Sequence, residues 1–299
     1  MTKPAIGFIG LGLMGSAMVG RLLDCGYPLT VMANRSRANV DAAVARGATE
    51  VATAREVAAA SDIVMLCMDT SASVESRMRG PDGVIAGVRP RACVIDFGTS
   101  LPLSTRTLGA EVEAAGASYL DAPLGRTPAH AKDGKLNIMA AGDVAAFASV
   151  EPVLQDLGEN VFHLGALGAG HTVKLINNFF GMTVANSMAE AFGMADVAGI
   201  DRKALYDVMA AGPLRSGMMD FMAAYAIDGI PDQLAFSIQN AAKDVGYYDQ
   251  MVRDNGSTSL MVQGALGALS EAAARGDGSE MVAKMVDFHV ARMRGDDDD

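Results

Sequence analysis

For about its first 160 residues the chain alternates between two kinds of segment. Apolar runs of strand length recur at 5–10 (AIGFIG), 28–33 (PLTVMA), 62–68 (DIVMLCM), 92–98 (ACVIDFG), 118–123 (SYLDAP) and 136–141 (LNIMAA). Helix-length amphipathic segments lie between them, 36–46 and 102–115 for example. Parallel strands need a crossover, and a helix is the usual one. The alternation therefore predicts βαβ units and a doubly wound, largely parallel α/β sheet. Pro90 and Gly116 mark stops between elements.

After Gly168 the strand signals end. Residues 170–198 hold no proline and read as one long helix, slightly weakened by Gly181 and Gly193. Asp201 is placed to cap the next helix. Breaks at Gly212-Pro213, Gly229-Ile230-Pro231 and Asn255-Gly256 divide further helical segments that run to about 292. The expected organisation is an α/β domain over 1–165, an all-α domain over 166–295 joined by the long helix, and an acidic tail over 296–299.

Composition narrows the function classes. Half of the 299 residues are hydrophobic and 20% are charged, which supports a sizeable core and argues against disorder. The net charge is -11, four units of it from Asp296–Asp299; without them 31 acidic residues face 24 basic ones, or -7. There is no basic footprint for nucleic acid. Three cysteines (Cys25, Cys67, Cys93) and four histidines form neither CxxC nor HxxxH, so no metal site and no disulfide framework are expected. No run reaches the ~20 apolar residues of a membrane span, and the first residues lack a basic region with a cleavage site. These readings predict a cytoplasmic protein that binds neither membrane nor nucleic acid. Met218, Met219 and Met222 read as helical core or interface packing.

Gly10-x-Gly12-x-x-Gly15 follows the first apolar strand and opens a helix. In such a turn the first glycine permits the tight bend, the second lets backbone approach a pyrophosphate, and the third allows close helix–sheet packing. The helix start, Met14 included, offers free N–H groups to phosphate. A glycine-rich turn without ligand is the plainer alternative. About twenty residues on, an NAD site usually carries an acid for the ribose 2′-hydroxyl. This chain has Asn34-Arg35-Ser36-Arg37 instead. Two guanidiniums and a hydroxyl suit a 2′-phosphate, so NADP(H) is the expected cofactor, with NAD(H) as the alternative. Otherwise Arg35 and Arg37 are solvated residues at a helix start.

Within GAGHTVKLINN (168–178), Lys174 and Asn178 stand four residues apart, one helical turn, with Asn177 beside them. Packed near the C-terminal edge of a parallel sheet, the lysine would protonate a carbonyl oxygen as hydride arrives, and the amide would fix substrate or lysine. A snorkelling lysine with two structural amides is the alternative.

Taken together, these segments resemble the β-hydroxyacid dehydrogenase family, which includes 3-hydroxyisobutyrate dehydrogenases, tartronate semialdehyde reductases and glyoxylate/succinic semialdehyde reductases. The resemblance spans essentially the whole chain: GLGLMG, FGTSLP at 97–102, YLDAP at 119–123, GKLNIMAAG at 134–142, GAGHTVKLINN, and the Phe236 to Asp244 spacing. It implies a Rossmann domain joined to an all-α domain, homodimers or homotetramers, catalysis by Lys174 with Asn178, and Thr99 lining the nicotinamide–substrate pocket. It also implies that Phe236, Lys243 and Asp244 close over cofactor and substrate. The family's substrate loop usually reads DAPVSGG. Here Gly125, Arg126 and Thr127 follow Asp121-Ala122-Pro123-Leu124. Arg126 suits a forked contact to an oxyanion and Thr127 adds a donor; alternatively Arg126 turns outward to a surface acid. The loop is similar to that of sulfolactaldehyde reductases, a likeness that points to NADH where Asn34-Arg35-Ser36 points to NADPH. The implied reaction interconverts a small anionic aldehyde and its hydroxy acid. An imine reductase is disfavoured by Lys174, and a 6-phosphogluconate dehydrogenase by the short helical half. A non-catalytic NADPH-binding module is the alternative from another class.

Overall fold

The computed structural model describes residues 3–34 and 37–295. The expected acidic tail and two of the expected cofactor residues, Arg35 and Ser36, lie outside them. Contacts divide the chain into two compact units, one up to Lys174 and one from Leu175. The division falls inside the long helix, after the point near 165 where the sequence pattern changes.

The first unit is built on six parallel strands: β1 (Ile6–Ile9), β2 (Leu29–Met32), β3 (Thr49–Val51), β4 (Ile63–Leu66), β5 (Cys93–Asp96) and β6 (Ser118–Asp121). Their order is β3-β2-β1-β4-β5-β6, the doubly wound order of dinucleotide-binding sheets. Helices α1 (Leu13–Asp24), α2 (Arg37–Ala45), α3 (Ala54–Ala59), α4 (Ser71–Met78), α5 (Val84–Gly87) and α6 (Pro102–Ala114) make the crossovers. Alternate side chains of one strand enter opposite cores. Phe8, Met65 and Ile95 lie on one face, and Ile9, Leu66 and Val94 on the other. Burial on both faces is why these strands read as near-continuous apolar runs. The edge strand β3 has no such run, because its residues are half-buried or exposed.

The run at 136–141 departs from expectation. It forms β8 (Leu136–Ala140) in a second sheet with β7 (Leu124–Gly125) and β9 (Gly158–His163), outside the parallel six. β7 pairs antiparallel with β8, and β9 parallel. Helices α7 (Pro128–Lys132) and α8 (Val144–Leu157) complete this part.

Helix α9 (Ala169–Val197) is the long helix. The second unit adds α10 (Arg202–Ala210), α11 (Gly217–Asp228), α12 (Ile238–Asp254), α13 (Val262–Ala274), two short 3-10 turns and α14 (Met285–Arg294). Asp201 caps α10 by accepting the Ala204 N–H. Met219 and Met222 are buried in this unit's core with Phe192, Leu269 and Val286. Among the described residues no helix is long and apolar enough to cross a membrane.

Candidate active site

The glycine turn separates packing from ligand binding. Gly10 has φ +97°, and a Cβ there would meet the Cys67 carbonyl oxygen at 2.3 Å. A Cβ on Gly15 would lie 2.0 Å from the Gly10 carbonyl oxygen. Both glycines are demanded by the fold. Gly12 is not: its φ is -74° and a Cβ would touch nothing within 4 Å. Its bareness serves whatever approaches from the open side. Gly12 also caps α1 without a side-chain hydrogen bond, leaving the helix start to a ligand. Met14 is half-buried against the core beneath. A cavity of about 470 Å³ opens here, lined by Gly10, Gly12, Asn34, Asp69, Ser73 and Arg77 among others. This cradle fits a dinucleotide, with the pyrophosphate at Gly12 and a ribose at the end of β2.

Asn34 stands at that strand end. Arg37 does not serve the cleft as the sequence suggested. Its guanidinium grips both carboxylate oxygens of Glu50 at 2.6 and 2.8 Å and also bonds Asp41, an acid one helical turn on. Sequence reasoning missed Arg77. It comes from α4, lines the cleft and donates to Asn34 Oδ1 at 2.8 Å. The only sequence signal was an arginine in the last turn of a helix after β4, which no local motif marks.

The loop after β6 carries Gly125, Arg126 and Thr127. Gly125 pairs with Asn137 of β8, whose side chain would crowd a Cβ at 3.2 Å. Arg126 adopts φ +77°, a left-handed conformation that favours glycine. One corner of its guanidinium, Nη1, donates to the Lys135 carbonyl at 2.7 Å and to the Glu159 carboxylate. The outward pairing with a surface acid is therefore found. Arg126 draws Glu159 below the usual carboxylate range through that hydrogen bond. The Thr127 hydroxyl lies 2.8 Å from His130 Nδ1.

Beneath lies a fully buried polar cluster. Register places Asp96 beside Asp121 at the C-terminal ends of β5 and β6. Two carboxyl groups buried side by side need hydrogen-bond donors to offset the cost of burial. Asp96 accepts the Gly98 N–H and the Ser100 hydroxyl, both at 2.8 Å, which folds the loop holding half-buried Thr99. Asp121 accepts the Gly168 N–H at 2.8 Å and the His171 N–H at 2.7 Å. It thus serves as the cap of α9 from another strand. Burial pushes its carboxyl above the ordinary value, opposed by His171 and those two N–H groups. His171 sits between the acids, with Nε2 3.7 Å from Asp96 and Nδ1 2.8 Å from the Thr105 hydroxyl. Gly170 is required because a Cβ would meet the Met139 carbonyl at 2.2 Å. The first turn of α9 is thereby bound to the C-terminal edge of the parallel sheet, where such sheets bind ligands. Lys174 is one turn further along that helix.

In the second unit Asn178 donates to Asp244 Oδ2 at 2.6 Å. Lys243 Nζ approaches the other oxygen at 3.0 Å, an ion-pair distance without hydrogen-bond geometry. The carboxylate accepts only, so it fixes which way the Asn178 amide faces. Phe179 stacks on Tyr248 beside them, and Phe236 packs partly buried against the same core. Here Asp244 holds Asn178, a role the sequence did not suggest.

The model of the family described as the NAD binding domain of 6-phosphogluconate dehydrogenase matches residues 5–165. That described as NAD-binding of NADP-dependent 3-hydroxyisobutyrate dehydrogenase matches 168–289. A 2-(hydroxymethyl)glutarate dehydrogenase of Eubacterium barkeri is 34% identical over 75% of this chain and 77% of its own. An NAD-dependent L-serine dehydrogenase of Pseudomonas aeruginosa is 34% identical over 68% of each. The human cytokine-like nuclear factor N-PAC is 32% identical, and the chain spans only 39% of its length. The Mycobacterium tuberculosis 3-hydroxyisobutyrate dehydrogenase with L-serine superposes with a TM-score of 0.87 at 25% identity, covering 96% of this chain and 99% of that one. Cradle, sheet order and both halves of the sequence agree: the chain belongs to the 3-hydroxyisobutyrate dehydrogenase-like family of β-hydroxyacid dehydrogenases, enzymes that bind a pyridine nucleotide and act on CH–OH groups.

Proposed function

We propose that the protein is an NADP(H)-preferring reductase that interconverts a small anionic aldehyde and its hydroxy acid, with Lys174 as general acid and base. The observation that carries this is the Asp121 cap, which binds the start of the lysine-bearing helix to the C-terminal edge of the dinucleotide sheet. When bound, the reduced nicotinamide supplies hydride to the carbonyl carbon. Lys174 as ammonium gives its proton to the carbonyl oxygen, and as amine takes it back in the oxidative direction. Asn178, held by Asp244, and Thr99 orient the reacting groups. The lack of an acid at Asn34 favours a 2′-phosphate over a bare hydroxyl.

The substrate's anion is read by the loop Gly125-Arg126-Thr127. Among the described residues Glu159 and Lys135 engage Nη1 of Arg126, which leaves the Nε–Nη2 edge for a forked contact to a carboxylate or sulfonate. Succinic semialdehyde, glyoxylate and 3-sulfolactaldehyde are the candidates, and 3-hydroxyisobutyrate in the oxidative direction. The test is NADPH and NADH oxidation by the purified protein with the three aldehydes side by side. Preference for sulfolactaldehyde identifies a sulfonate pocket, and preference for a carboxylate substrate a semialdehyde reductase. Tight cofactor binding with no turnover of any acid aldehyde overturns the proposal in favour of a non-catalytic NADPH-binding module.

A further inference from the structure

We propose that Arg77 of α4 is a specificity-determining residue for the 2′-phosphate of the dinucleotide, acting together with Asn34. The proposal rests on the NADP(H) reading above, and it adds to that reading a cation from a distant part of the chain. The sequence offered Arg35 and Arg37 for this task; Arg35 lies outside the described residues, and Glu50 and Asp41 occupy the Arg37 guanidinium. Arg77 stands 43 residues beyond Asn34 and enters the same cleft from the crossover after β4.

Three features make its position specific. First, α4 is fixed from behind. Val74 and Met78 on its inner face are fully buried, and Thr70 caps it by accepting the Ser73 N–H at 3.0 Å. The outer face then presents Ser73, Ser76 and Arg77 to the cleft. Second, the contact to Asn34 orients both partners. A guanidinium can only donate, so the Asn34 oxygen must face Arg77 at 2.8 Å. The Asn34 amide N–H groups are then on the side away from Arg77. Third, the charge favours an anion. A planar guanidinium matches phosphate geometry. The acid in the cleft lining, Asp69, lies on the loop before α4. Ser73 and Ser76 add hydroxyls rather than charge.

Another use of Arg77 would be stacking on the adenine face, which is common to NADH and NADPH. The two uses are separable by equilibrium binding. Arg77→Ala and Arg77→Lys are titrated with NADPH and NADH by nicotinamide fluorescence, and with adenosine 2′,5′-bisphosphate and ADP by calorimetry. Losing a charge-assisted contact to phosphate costs about tenfold to a hundredfold. Arg77→Ala is expected to lower the NADPH-to-NADH affinity ratio, and the bisphosphate-to-ADP ratio, by about tenfold or more. Arg77→Lys keeps the charge and loses the fork, so it falls between. Equal losses for both members of each pair mean adenine stacking or simple support of the β2 end, and overturn the proposal. So does a ratio unmoved by Arg77→Ala. The cofactor reading is judged separately, by the wild-type ratio. A wild type that favours NADH refutes NADP(H) preference, whereas a ratio that then shifts with Arg77→Ala still supports Arg77 as the 2′-phosphate contact.

Discussion

Replacing Asp121 by alanine removes the cap that α9 borrows from β6. The carboxylate is fully buried and accepts two backbone N–H groups, from Gly168 at 2.8 Å and His171 at 2.7 Å. A buried donor left without an acceptor costs about 1–3 kcal/mol, so the two together lose about 2–6 kcal/mol. Part of this returns, because burial already works against the charged carboxylate, as its raised pKa records. The expected net loss is about 2–4 kcal/mol. Urea unfolding measures it, and hydrogen exchange at the Gly168 and His171 amides localises it to the first turn of α9. Asp121→Asn keeps one acceptor and should fall between wild type and alanine. The sign with pH follows from the same shift. A carboxyl whose pKa is higher in the folded state than its ordinary 3.8 binds more protons folded than unfolded. Its contribution is complete below the ordinary value and is lost as pH rises through the folded one. Acidification from neutral pH should therefore move the balance toward wild type relative to Asp121→Asn. A loss under about 1 kcal/mol for Asp121→Ala, well short of one unmade buried bond, would refute the capping argument. So would unchanged amide protection at Gly168 and His171.

Other consequences concern turnover and cofactor. Lys174→Ala should lower kcat by about a hundredfold to ten-thousandfold while NADPH binding persists, since a general acid acts on the chemical step; near-normal turnover would remove the lysine from the mechanism. Gly12→Ala should weaken dinucleotide binding with little change in folding, because its Cβ meets no protein atom, whereas Gly15→Ala should destabilise the fold through the 2.0 Å approach to Gly10. Calorimetry with NADPH and a urea titration on both variants check this pair. Arg126→Gly should relieve about 1 kcal/mol of left-handed backbone strain and raise the apparent KM for the acid aldehyde much more than that for cofactor. An unchanged substrate KM would show that the arginine only braces Glu159.

Much of the architecture was legible in local pattern. Among the described residues six of the nine strands announced themselves as apolar runs, most continuously β1, β4 and β5, where burial on both faces leaves little room for polar positions. The three that did not are an edge strand, a two-residue strand and β9, whose partly exposed face mixes polar and apolar residues. The long helix was visible from the absence of breakers, and Gly10, Gly12 and Gly15 from their spacing. The glycines looked alike in sequence, but only Gly12 proved free of packing demands.

The sequence by itself determined what depends on neighbours a few residues apart: strand and helix periods, the glycine turn, the Asp201 cap, and the four-residue spacing of Lys174 and Asn178. Tertiary structure decided everything that depends on partners far apart in the chain. Asp121 caps a helix that begins 48 residues later. Asp244 holds Asn178 from another helix. Arg37 turns to Glu50, while Arg77 reaches Asn34. A charged side chain is committed by whichever complementary group the fold brings within about 3 Å. Sequence spacing fixes that partner only within one helix turn or one tight loop.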